Sequence, residues 1–142
     1  MRQFIIGVCV LASAVVSPAA ADSQFVRELD AYCVSSDGTR EGVVASQDGA
    51  TNFYVQRPSG TLEIVRSLHN RRAVSHWHAR LDAAGFAVME WQELDAPYCA
   101  IERLQAGRLH RVQWREDEGP TALDEIFASM LGAQINSQGA WQ

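Results

Sequence analysis

The clearest alternation of apolar and polar positions lies between Gly85 and Glu116. Three apolar-rich runs, GFAVMEWQEL, CAIERLQ and LHRVQWRE, are separated by the turn signals Asp95-Ala96-Pro97 and Ala106-Gly107. This spacing predicts a three-stranded antiparallel meander. In its last strand His110, Val112 and Trp114 fall on one face, and Leu109, Arg111, Gln113 and Arg115 on the other. Upstream, residues 52–57 and 61–68 flank Pro58-Ser59-Gly60 and predict a hairpin. Leu62, Ile64 and Leu68 then share one face, with Arg66 interrupting it.

Helical spacing dominates elsewhere. Phe25, Leu29, Tyr32 and Cys33 form one stripe over 24–34, behind Ser23 as a cap. Residues 40–47 read as a second, shorter helix capped by Thr39, with Val43, Val44 and Gln47 facing inward. Over 70–84, Val74, Trp77, Leu81 and Ala84 recur at three, four and three. Asn70 suits the N-cap there and Gly85 the position after the C-cap. A strand over the same residues is the competing reading, with poorer caps. A closing helix over 122–131 carries Leu123, Ile126, Phe127, Met130 and Leu131 on one stripe. Its Asp124 and Glu125 sit where the helix dipole favours acids. The sum is an α+β fold: an antiparallel sheet of about five strands, hairpin plus meander, with helices packed mainly on one face.

The first residues change the picture of where the chain works. Residues 4–16 carry no charge, follow a short segment with Arg2, and precede Ser17-Pro18 and Ala19-Ala20-Ala21. This is the pattern of a secretory signal peptide over 1–21, cleaved before Asp22. Thirteen apolar residues fall short of the roughly 20 that span a bilayer, so no stable membrane anchor is expected after cleavage. The reading leaves a single domain over 22–135 and a loose tail over 136–142, with no linker and no repeat. The expected compartment is periplasmic or secreted.

Cys9 departs with the leader, and Cys33 and Cys99 remain. Two cysteines in an exported chain predict one disulfide. Their separation excludes a Cys-x-x-Cys redox motif and a zinc ribbon. The full chain has a net charge of −5, and loss of Arg2 makes it one unit more negative. Every basic side chain apart from histidine is an arginine. A net acidic domain lacks the basic footprint that nucleic acid needs.

The remaining candidates are weaker. His69, His76 and His78 suit a metal site only as a strand, because residues two apart diverge on a helix; neither metal nor cofactor is expected. Glu90, Glu93, Asp95 and Glu102 could supply a general acid or base, Glu90 or Glu102 acting with His110. Arginines cluster at 66, 71, 72 and 80, and again at 103, 108, 111 and 115. Arg111 and Arg115 project from one strand face, with Arg103 joining from the neighbouring strand and Trp114 nearby. Guanidinium forks suit carboxylates and phosphates. These four residues are the candidate contacts for an acidic protein partner. The function expected is a small exported binding module: an inhibitor, an immunity-type factor or an accessory subunit. The alternatives are a small enzyme using a carboxylate/histidine pair, or a carrier holding a small ligand between helices and sheet.

Overall fold

The computed structural model describes residues 28–132. The expected leader and the 136–142 tail lie outside the described residues. Four strands come first: β1 (Leu29–Val34), β2 (Arg40–Ala45), β3 (Ala50–Gln56) and β4 (Leu62–His69). Helix α1 (Arg71–Ala83) and a 3-10 turn (Phe86–Val88) follow. Then come β5 (Tyr98–Gln105), β6 (Arg108–Trp114) and helix α2 (Thr121–Gly132). All six strands form one antiparallel sheet in the order β4-β3-β2-β1-β5-β6. The fold is α+β, with six strands rather than about five.

The helices expected over 24–34 and 40–47 are corrected: residues 29–34 and 40–45 are strands β1 and β2. Turn chemistry overrides the helical spacing. Ser35-Ser36-Asp37-Gly38, Ser46-Gln47-Asp48-Gly49 and Arg57-Pro58-Ser59-Gly60 are built alike. Their glycines stand at φ 87°, 104° and 90°, a region that costs glycine little. Asp37 Oδ1 accepts from Ser35 Oγ at 2.6 Å and from Thr39 N at 2.8 Å. Asp48 Oδ1 likewise holds Ser46 Oγ, and accepts from Ala50 N at 3.0 Å. These glycines recur every eleven residues. Such regular punctuation leaves runs only long enough for strands.

The third strand expected over the 85–94 run is also corrected. Gly85 adopts φ 72° and ends α1 as the sequence predicts. Phe86 then turns into the core and is fully buried. Residues 89–97 cross to β5 without joining the sheet. The expected helix over 70–84 forms as α1, and its Asn70 side chain accepts from Ala73 N at 3.0 Å.

Both helices cover one face. Val74, Trp77 and Leu81 of α1 meet Leu123, Ile126 and Met130 of α2 over Leu29, Ala31, Val43, Phe53, Ile101 and Val112 of the sheet. Each such large side chain contributes about 1.5–3 kcal/mol on burial. Trp77 Nε1 also donates to Ser129 Oγ at 3.3 Å. The chain thus runs β1 to β4 outward, returns through α1, and lays β5 beside β1. Cys33 and Cys99 face each other across that β1–β5 ladder and form the expected disulfide, with Cα atoms 4.0 Å apart. Tyr32 and Tyr98 meet edge-on beside it, ring centroids 6.4 Å apart.

Candidate binding face on the open side of the sheet

The alternation that sends Leu29 and Ala31 toward the helices sends Asp30 and Tyr32 to the opposite face. Register places Gly42 and Ala100 on either side of Tyr32, and Tyr54 next to Gly42. Gly42 has to be small: a Cβ there would lie 2.5 Å from Ala31 O and 2.6 Å from Tyr32 Cβ. The room left lets Arg40 lie across the Tyr32 ring, its guanidinium carbon 3.4 Å from the centroid.

From there a polar network runs across five strands, β3, β2, β1, β5 and β6. Arg40 Nη2 donates to Asp30 Oδ2 at 2.7 Å and Arg40 Nε to Tyr54 Oη at 2.9 Å. Tyr54 Oη donates to Asp30 Oδ1 at 2.8 Å. Tyr32 Oη donates to Glu102 Oε1 at 2.5 Å. Arg111 Nε stands 2.6 Å from the same oxygen as an ion pair, off the line of a hydrogen bond. Burial pushes both phenols well above the usual tyrosine range, reinforced by the Glu102 hydrogen bond at Tyr32 and the Asp30 charge at Tyr54. Asp30 is 2% exposed, which is tolerable only because its oxygens are occupied. Asp30, Arg40, Glu102 and Arg111 together carry no formal net charge.

The four residues expected to make one docking patch are dispersed. Arg103 pairs with His110 in the β5–β6 register, so it lies on the helix face, opposite to Arg111. It is 3% exposed, donates to Asp82 Oδ1 at 2.8 Å and sits over the Phe86 ring. Trp114 is likewise buried on the helix face, edge-on to Phe127 at 5.9 Å. Neither is a surface contact. Arg115 is exposed beyond the end of β6, and its Nη1 donates to Asp95 O and Pro97 O, tying down the crossover. Arg111 alone of the four belongs to the open face. Burial lowers the pKa of His78, and the Arg103 charge adds to this.

Glu102 and His110 are on opposite faces, so that acid/base pair does not form. Glu90 and His110 do line a common groove of about 790 Å³ between residues 89–94 and β6. His110 Nε2 is buried there without a hydrogen-bond partner, its ring edge-on to Phe86. A second groove, of about 670 Å³, runs beside the disulfide and is lined by Thr39, Glu41, Tyr98 and Arg115.

The open face ends at β4, whose outer edge takes no partner among the described residues. The register slips at Val65: Tyr54 faces Ile64, but Phe53 faces Arg66. This bulge corrects the expected common face of Leu62, Ile64 and Leu68. Leu68 packs against the core, while Leu62 and Ile64 lie on the open side with Tyr54. Leu62, Ile64 and Val65 are 44%, 41% and 54% exposed. The chain matches no family model, no curated protein and no solved structure.

Proposed function

We propose that this chain is an exported binding module that docks a protein partner through the β4 edge of its sheet and the exposed apolar residues on it. The observation that carries the reading is the exposure of Leu62, Ile64 and the bulged Val65 on an edge that takes no partner among the described residues, beside Tyr54. Adjacent apolar side chains left outside a domain mark interaction surfaces more often than chance. The hydrogen-bonded tyrosines behind them make the face rigid, which lowers the ordering cost of binding.

Export rests on the leader-like pattern of residues 1–21 and on the Cys33–Cys99 disulfide, a bond that persists in oxidising compartments. Among the described residues no helix is long and apolar enough to cross a membrane.

The test is photocross-linking in the source cell. A benzoylphenylalanine at Ile64 is expected to give a discrete protein adduct in the envelope or medium. The same label at Val88, which is 85% exposed at the end of the 3-10 turn after α1, serves as control. Identical adduct patterns from the two positions would refute docking at this face.

A further inference from the structure

The edge of β4 carries a second property that its apolar row does not explain. Along the chain from Arg57 to Arg72 stand four arginines, 57, 66, 71 and 72, against Glu63 on the strand and Asp48 in the neighbouring turn. The rest of the chain is acidic enough to leave the whole at −5. Arg71 and Arg72 occupy the first turn of α1, which holds no acidic residue. The helix dipole already makes that end positive, so two arginines there oppose local stability. Arg57, Arg71 and Arg72 are exposed and make no ion pair among the described residues.

Positive charge is therefore concentrated at both ends of a strand whose backbone donors and acceptors face outward on alternate residues. The strand has neither proline nor lysine, two residues that commonly blunt exposed edges. We propose that β4 accepts one extended, acidic segment of a partner protein as an added antiparallel strand. Main-chain hydrogen bonds would hold it, Leu62 and Ile64 would receive its apolar side chains, and Arg57, Arg71 and Arg72 would hold its carboxylates. A second copy of this chain fits less well. Antiparallel pairing of β4 with itself brings two positive edges together, and the molecules are net negative at longer range. The Val65 bulge twists the edge, which suits one short strand better than an open-ended stack.

This inference rests on the docking reading above, and the experiment separates the two. The probe is an end-blocked peptide of about ten residues alternating valine or threonine with glutamate, enough to span β4. Its controls replace glutamate by lysine, or N-methylate one or the other alternate set of amides. Binding is followed by fluorescence polarisation and by amide chemical shifts. The glutamate peptide is expected to bind at least about tenfold more tightly than the lysine peptide. One N-methylated set should abolish binding and the other should not, and the shifted amides should lie in β4. The double substitution R71E/R72E should invert the charge preference. It places acids where the helix dipole favours them, so the fold should persist.

No binding of the glutamate peptide, equal binding of both charges, or indifference to R71E/R72E would overturn the proposal. So would tolerance of both methylated sets, or a concentration-dependent dimer with protected β4 amides. If any of these occurs while Ile64 still cross-links a partner in cells, strand addition fails and docking stands. If Ile64 cross-links nothing distinct from Val88, docking at this face fails as well.

Discussion

Replacing Cys33 and Cys99 together by alanine is expected to lower the unfolding free energy by about 4 kcal/mol. The two residues are 66 apart in sequence. For a loop of that size the chain-entropy relation gives roughly 15 cal/mol/K, hence about 4 kcal/mol at 25 °C. Placement argues that this contribution is retained in the native state. The cysteines are direct partners in the β1–β5 ladder, which joins the β1–β4 meander to the β5–β6 hairpin. The other ladders pair strands that are consecutive in sequence and close shorter loops. A stability of about 5–15 kcal/mol is usual for a domain, so much of it would go. Urea unfolding followed by tryptophan fluorescence measures the loss, with reduced native protein as a second arm. Hydrogen exchange supplies the spatial check: β1–β5 amides should lose protection before those between β2 and β3. A loss below about 1 kcal/mol in both arms, with unchanged exchange order, would refute the reasoning.

Three further outcomes concern the strand residues of the Asp30–Tyr32–Tyr54 cluster. Asp30→Ala leaves the Arg40 guanidinium and the Tyr54 hydroxyl without their 2.7 and 2.8 Å acceptors and should cost about 3 kcal/mol in urea unfolding; a cost under about 1 kcal/mol would show the pair to be dispensable. Tyr32 and Tyr54 have folded pKa values raised above the unfolded value of about 10, so stability should be intact below that pH and fall above it as the unfolded chain releases those protons first. Ultraviolet titration should then show both phenols ionising only as the circular dichroism of the fold is lost, and their reversible ionisation near pH 10 in folded protein would contradict the burial argument. Gly42→Ala drives a methyl into Ala31 O and Tyr32 Cβ and should destabilise by about 2 kcal/mol or more in thermal melts; an unchanged melting temperature would mean that the strands part there at no cost.

Much of the second half is legible because its signals agree. Asn70, the Val74-Trp77-Leu81 stripe and Gly85 each point to the same helix, and the structure realises all three. Ala106 and Gly107 both take positive φ, 50° and 74°, in the two-residue turn expected between β5 and β6. The first half misleads because two patterns compete there. Leu29, Tyr32 and Cys33 satisfy a helical stripe as well as a strand, and short runs cannot decide between them. The eleven-residue recurrence of Gly38, Gly49 and Gly60 decides it, and that signal is present in the sequence. The open-face network is hidden by the same ambiguity, since Asp30 and Tyr32 share a face only in a strand. Arg103 misleads because guanidinium groups are rarely buried. The sequence expectation sets it beside Arg111, whereas the two-residue turn places it opposite His110, and nothing in the sequence shows that Asp82 would reach across from α1 to hold it.

The network also bears on why the proposed docking site is β4 rather than the centre of the sheet. A slip of one residue in β1 would carry Asp30 and Tyr32 into the dry layer beneath Trp77 and turn Leu29 and Ala31 outward. The ion pair with Arg40 would break and leave a buried charge, a loss of several kcal/mol. Every strand from β3 across to β6 contributes a residue to this cluster or to its ion pair with Arg111. Their register is therefore fixed by chemistry as well as by hydrophobic alternation. β4 contributes none of those hydrogen bonds. It is held on one side by β3, its register already shifts at Val65, and its outer apolar residues stay in water. The formal charges inside the network cancel, whereas Arg57, Arg71 and Arg72 make no ion pair among the described residues. In the proposed reading, a strand added at the β4 edge would gain from a preorganised sheet without disturbing its core.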